Sequence, residues 1–179
     1  MSKSTMSEIF DKIERAPTVQ DKIRLLQENR HQPIIDILQG VFDTRIKWLL
    51  PEGPVPYKPS KRENIESALF SETKKLYLFA EGGNPNLAQA RREVLFIQLL
   101  ENIDPRDAKM LESVKDKKFP WPSITVDIVR AAFPDVYIET TAIELPEEKI
   151  IPVEDVIVKK TKPRKVKAKK EDVKNETIQ

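Results

Sequence analysis

Cysteine is absent from this chain of 179 residues, histidine occurs once, and there are only 4 glycines. Without thiols there are no disulfides, no thiolate metal ligands and no thiol nucleophile, a composition that fits an intracellular protein. Scarce glycine argues against phosphate-cradling loops and hairpin-rich folds, both of which need left-handed backbone. No apolar run approaches 18 residues, so no membrane span is expected. The N-terminal MSKSTMSEIFDKIE lacks the apolar core of a secretory signal.

Lone His31 has no second histidine to share a metal, and a zinc site would need carboxylates alone. No nucleophile-elbow motif accompanies it. It follows Arg30 near a helix end, where a surface or structural role suffices. The carboxylate pairs Glu63/Glu66 and Glu147/Glu148 read as solvated charge. Asp104 and Asp107, placed around Pro105, read as helix-start chemistry. The expectation is a chain with no catalytic residue, no metal site, no cofactor and no enzymatic activity.

Charge is present but unevenly placed. The formal net charge is +2, yet residues 159–179 carry 9 Lys/Arg against 3 Asp/Glu, and the first 158 residues are net −4. Lys159, Lys160, Lys162, Arg164, Lys165, Lys167, Lys169 and Lys170 crowd into twelve residues with no acid among them. Such a segment has too little apolar surface to offset its ordering entropy, so it is expected to be disordered when free. It suits a polyanion: nucleic-acid phosphates, anionic lipid or an acidic protein surface. It holds no aromatic residue, so contact with nucleic acid would be electrostatic, without base stacking.

Helical periodicity dominates the first 134 residues. Met6, Ile9, Phe10 and Ile13 share one face, and Ala16-Pro17 ends that helix. Thr18 caps the next helix, with Asp21 three positions on, running to about Asn29. Pro33 suits the first turn of a densely apolar third helix. Ser60 or Asn64 starts a helix running to Phe79, stopped by Gly82 or Gly83. Asn84-Pro85 and Asp104-Pro105 are two further cap-and-proline starts, predicting helices over 85–102 and from Pro105 to Lys117 or Lys118. Ser123 or Thr125 opens a last helix before Pro134. Beyond it, Val136, Ile138, Ile143, Leu145 and further apolar residues alternate with prolines and charges, which suits short extended pieces.

Proline occurs 14 times and gathers between helices. Residues 51–59, PEGPVPYKP, hold four prolines and cannot be helical. Trp48, Tyr57 and Trp121 lie in or beside such loops. Aromatic rings there either clamp the loops to the core or receive a partner protein. Residues 85–133 also have the spacing of a helix-turn-helix. The candidate recognition helix 124–133 offers only Arg130 as a cation, a poor match to a groove-reading element.

The run FDTRIKWLLPEGPVPYKP at 42–59 resembles a segment of a family of uncharacterised proteins from T4-like tailed phages, including cyanophages. REVLFIQLLENIDPRDAKMLESVKDKKF at 92–119 and ITVDIVRAAFP at 124–134 resemble the same family. The resemblance covers roughly residues 1–134 and excludes the tail. It implies a domain of unknown function, some of whose members are labelled heat-shock-associated transcription modulators, acting in the cytoplasm of a bacterial host beside phage or host proteins. It implies no catalytic residues.

The sequence thus predicts an all-α protein with one multi-helix domain over 1–134 and ordered proline-rich loops. A partly extended segment follows over 135–158, then a basic tail over 159–179. Two functions fit. One is a non-enzymatic phage accessory or adaptor, its body binding a phage or host protein while the tail adds electrostatic contacts. The other is a nucleic-acid-associated replication or transcription accessory, bound to the phosphate backbone through the tail.

Overall fold

A computed structural model of the chain describes residues 4–61, 65 and 67–140. Among these residues the chain is all-α: seven α-helices and one 3₁₀ stretch, with no β-strand. Most of the expected extended segment and the whole basic tail lie outside the described residues.

The helices are α1 (Met6–Glu14), α2 (Val19–Glu28), α3 (Gln32–Phe42), α4 (Ala68–Glu72), α5 (Gln89–Asn102), α6 (Pro105–Lys115) and α7 (Val126–Ala132). α6 sits at the centre, touching α1, α3 and α5, while α7 covers α2. The sequence of α6 explains this position, because Asp107, Ala108, Met110, Leu111, Val114 and Lys115 are all buried. A helix covered on so much of its circumference needs neighbours on several sides. α3 is its apolar counterpart, burying Ile34, Ile35, Ile37 and Leu38.

Side chains cap three of the helix starts, those of α1, α2 and α6. Thr5 caps α1 by accepting from the Glu8 N–H at 3.1 Å, and Glu8 returns the bond to the Thr5 N–H at 3.2 Å. This reciprocal box leaves the Met6 and Ser7 amides to be satisfied. Both donate to the Asp107 carboxylate, which comes from α6, a hundred residues away. Asp104 caps α6 through the Arg106 N–H at 2.8 Å. The acidic pair around Pro105 is therefore split: Asp104 starts its own helix, while Asp107 completes another.

Two helix ends, those of α1 and α3, are closed by lysines. Lys22 Nζ donates to the Ile13 and Glu14 carbonyls and to Ser123 Oγ, taking up the last carbonyls of α1. Lys117 Nζ donates to the Gly40 and Asp43 carbonyls at 2.7 and 2.8 Å, closing the end of α3. Lys117 itself has φ +56°, the left-handed geometry that stops a helix, so α6 ends at Lys115 and not at Lys117 or Lys118.

Two segments depart from their sequence signals. The helix expected from Ser60 or Asn64 to Phe79 is a short α4 followed by a 3₁₀ stretch, Thr73–Phe79. Thr73, Leu76 and Phe79 are the buried residues of that stretch. Their three-residue spacing falls on one line only when the chain winds at three residues per turn. Asn84 lies among described residues, but Asn64 does not. Asn84-Pro85 opens a turn, closed by the Leu87 N–H on the Asn84 carbonyl at 3.3 Å, and α5 begins at Gln89. Proline at the second position favours a turn as readily as a helix start. Here Arg92 decides between them. Its buried guanidinium donates to the Leu78 and Asn84 carbonyls and holds the loop folded back on α5.

Beyond α7 the described chain turns at 134–136, with the Val136 N–H on the Phe133 carbonyl, and continues to 140 without forming a strand. Ile138 is buried, Thr44 donates its N–H to the Glu139 carbonyl at 2.7 Å, and Arg130 reaches the Ile138 carbonyl.

Candidate interaction site

The three aromatic residues singled out by their loops end in three different places. Trp121 is buried, 8% exposed. Its ring lies 5.1 Å from those of Phe10 and Phe119, and its Nε1–H donates to Asp11 at 2.7 Å. It clamps its loop to α1. Tyr57 is half-buried beside Glu112, and burial followed by that negative charge raises its phenol pKa. Trp48 is also half-buried, but its ring forms a wall shared by two clefts.

Trp48 is placed by backbone pairing. Residues 47–49 run antiparallel to 79–81, with the Leu49 N–H on the Phe79 carbonyl at 2.7 Å and the Glu81 N–H on the Lys47 carbonyl at 2.8 Å. The ring then lies over Gly40 of α3, and its Nε1–H donates to the Gly40 carbonyl at 2.9 Å. That contact needs glycine, since a Cβ on residue 40 would lie 2.8 Å from Trp48 Cζ2.

On one side of the ring is a cleft of about 400 Å³ bordered by Thr44, Lys47, Glu52, Asp116 and Lys117. Burial lowers the Lys117 ammonium pKa to about 8, opposed by the nearby Asp43 charge. Asp43 is itself held below the usual carboxylate range, chiefly by its hydrogen bonds from Arg45. On the other side is a cleft of about 330 Å³ bordered by Asp36, Gln39, Lys74, Leu76 and Tyr77. Tyr77 is 56% exposed. Trp48 and Tyr77 thus present two aromatic rings on one face, rimmed by charges of both signs. The sequence pointed to Trp48 through its proline loop. Tyr77 carried no such signal, because its exposure follows from the 3₁₀ winding around it.

Gly40→Ala tests how firmly that ring is seated. Alanine would gain about 1 kcal/mol of helix propensity, but the clash with Trp48 costs more, about 1–3 kcal/mol. The expected result is a net loss of stability and a red-shifted Trp48 emission. Emission is read in a Trp121→Phe background, so that Trp48 is the sole indole. Unchanged emission would show that the ring does not rest on Gly40.

His31 is the N-cap residue of α3, not a helix-end cation, and makes no side-chain cap bond. It lies 6.4 Å edge-on from Phe70, in a cleft of about 450 Å³ that also includes Glu8, Lys12 and Ser67. The two Glu8 oxygens accept from Thr5 and from Arg106. Among the described residues no group of three or more His, Asp and Glu could hold a metal ion. Among them too, no helix is long and apolar enough to cross a membrane. The candidate recognition helix α7 buries Ile128, Val129 and Ala132, and Arg130 is turned onto the Ile138 carbonyl and Thr140. Its one cation is thereby engaged within the chain. The eight basic positions from Lys159 to Lys170 lie outside the described residues.

One family model matches residues 9–120, that of a family of unknown function, DUF6433. No curated protein matches the chain, and no solved structure does.

Proposed function

The chain belongs to the DUF6433 family of unknown function, and from that premise we propose that it is a non-enzymatic adaptor whose helical body binds a protein. The observation that carries this reading is the Trp48–Tyr77 face. Two aromatic rings stand at the surface beside two clefts, on a backbone fixed by pairing and by Gly40. Aromatic anchors of this kind, held rigid before contact, concentrate binding energy at protein interfaces. The sequence resemblance to T4-like phage proteins supports a phage or host protein as the partner, in the cytoplasm of a bacterial host. The basic tail would add electrostatic contacts.

The test is recovery of partners from infected cells, after nuclease treatment, with the full chain, a chain ending at 158 and a Trp48→Ala variant. One protein recovered stoichiometrically by the first two, and depleted at least about tenfold by Trp48→Ala, is the expected result for a hot-spot residue. Loss of every partner on nuclease treatment would overturn it.

A second reading rests on the eight cations between Lys159 and Lys170. It is a replication or transcription accessory held on nucleic acid by its tail. Its mark is affinity that falls steeply with salt and collapses when residues 159–179 are removed.

A further inference from the structure

Three lysines gather backbone carbonyls in this fold, and they differ in how many acceptors each one holds. Lys22 Nζ donates to three, the Ile13 and Glu14 carbonyls and Ser123 Oγ. Lys115 Nζ also donates to three, the Pro51 and Gly53 carbonyls and the Asp116 carboxylate. Lys117 Nζ donates to two, the Gly40 and Asp43 carbonyls at 2.7 and 2.8 Å. Three acceptors need all three N–H groups of an ammonium. Two acceptors need only the two N–H groups of a neutral amine, so Lys117 can lose a proton and keep both bonds. The lone pair then takes the position of the third ammonium proton, which has no acceptor among the described residues.

The surroundings favour that loss. Lys117 borders the cleft of about 400 Å³ walled by Trp48 and is exposed as a residue. Burial around its ammonium still lowers the pKa to about 8, against the charge of Asp43. The carboxylates nearest in the chain are engaged elsewhere. Asp43 accepts from Arg45 at 3.0 and 2.6 Å, and Asp116 accepts from Lys115 and from the Gly53 N–H. Glu52 and Lys47 stand on the same cleft with opposite charges. An ordinary lysine titrates near about 10.4, so at about pH 7.5 roughly one in a thousand is neutral. For an amine titrating at about 8 the share is roughly one in four.

We propose that Lys117 is an acylation site, its amine attacking an activated acyl donor admitted by the cleft. Nζ bonds to the acyl carbon, and the bond from that carbon to the leaving group breaks. The leaving group takes the electron pair, and the excess proton on Nζ passes to water. The product amide has one N–H, so it cannot hold both carbonyls. The Gly40 carbonyl also accepts from Trp48 Nε1 at 2.9 Å, so acylation alters the seat of the Trp48 ring as well as the end of α3. None of this depends on the adaptor reading. Lys22 and Lys115 would each leave an acceptor without its donor on deprotonation, and are expected to be inert.

The test exposes the folded full chain to limiting acetyl phosphate at about pH 7.5 and follows each lysine by peptide mass spectrometry. Lys117 is expected to be acetylated at least about fivefold faster than its exposed neighbour Lys118, because far more of it is neutral. Lys115, on the same cleft, should stay unmodified. The Lys117 rate should level off above about pH 8, and in denaturant Lys117 and Lys118 should react alike. Equal rates at the two lysines in the folded chain overturn the proposal. So does a Lys117 rate that still rises about tenfold per pH unit well above pH 8. In a Trp121→Phe background, acetylation should shift the Trp48 emission, and Lys117→Arg treated in the same way should show no shift. An emission that stays put, or moves equally in Lys117→Arg, overturns the link through the Gly40 carbonyl.

Discussion

Asp107→Ala is expected to cost about 3–4 kcal/mol, seen as a large fall in denaturant midpoint at unchanged slope. Its carboxylate is fully buried and collects three donors from the start of α1: the Met6 N–H at 3.3 Å, the Ser7 N–H at 2.8 Å and the Ser7 hydroxyl at 2.6 Å. Removing it strands those donors away from water, and each buried unsatisfied group costs about 1–3 kcal/mol. Total stability for a domain of this size is about 5–15 kcal/mol, so one substitution removes a large share. Asp107→Asn keeps the shape but places an amide NH₂ against one of the N–H donors, and should cost about 1–2 kcal/mol.

The same residue makes a pH prediction. Burial raises the Asp107 carboxyl pKa above its ordinary value, against the opposing effect of the bonds from Ser7 and Met6. The folded chain therefore binds this proton at a pH where the unfolded chain has released it. The contribution to stability is fully present below the ordinary carboxylate pKa and is lost as pH rises through the raised one. The stability difference between wild type and Asp107→Asn should accordingly be larger in acid than at neutral pH. Paired melts across that range check it, and a difference that grows with pH would refute the burial argument.

Phe10→Ala should be comparably damaging, at about 3–5 kcal/mol for truncating a buried phenylalanine. Phe10 is fully buried, with ring centroids of Phe119 at 5.2 Å and Trp121 at 5.1 Å, and Phe119 in turn meets Phe42 at 5.5 Å. The ring ties α1, the end of α3 and the 119–122 loop together, and edge contacts of this kind add about 0.5–1.5 kcal/mol each. Val19→Ala, on the 54% exposed Val19 of α2, is the control and should stay within about 0.5 kcal/mol. Similar losses at both positions would mean that the aromatic group is not where the core is anchored.

Local chemistry was legible in the sequence wherever cause and effect lie a few residues apart. Thr18 caps the helix it precedes, and Asp104 caps the one beginning at Pro105. What could not be read is what long-range contact decides. Asn84-Pro85 carries the same start signal as Asp104-Pro105, but Arg92 holds it in a turn. Asp107 sits where acids favour their own helix, yet serves α1. His31 follows one helix but stands at the N-cap position of the next, with no side-chain cap bond. The 3₁₀ winding of 73–79 was present in the three-residue spacing of its buried side chains, masked by an α-like start at Leu69. For the candidate site, Trp48 was marked by its loop. Its partner ring Tyr77 was not, and Trp121 shared the same loop signal although its ring is spent on the core.

The lysines that gather backbone carbonyls have a consequence for how this sequence can diverge. Lys22 satisfies three acceptors with one tetrahedral nitrogen, and Lys115 and Lys117 each bridge two carbonyls. A planar guanidinium, longer and fork-shaped, does not reproduce that arrangement. Lineages drifting toward arginine under changing base composition should therefore exchange the solvent-facing lysines freely while these three stay fixed. In a basic-rich chain, the conserved lysines would then mark architecture, and the variable ones the surfaces open to adaptation.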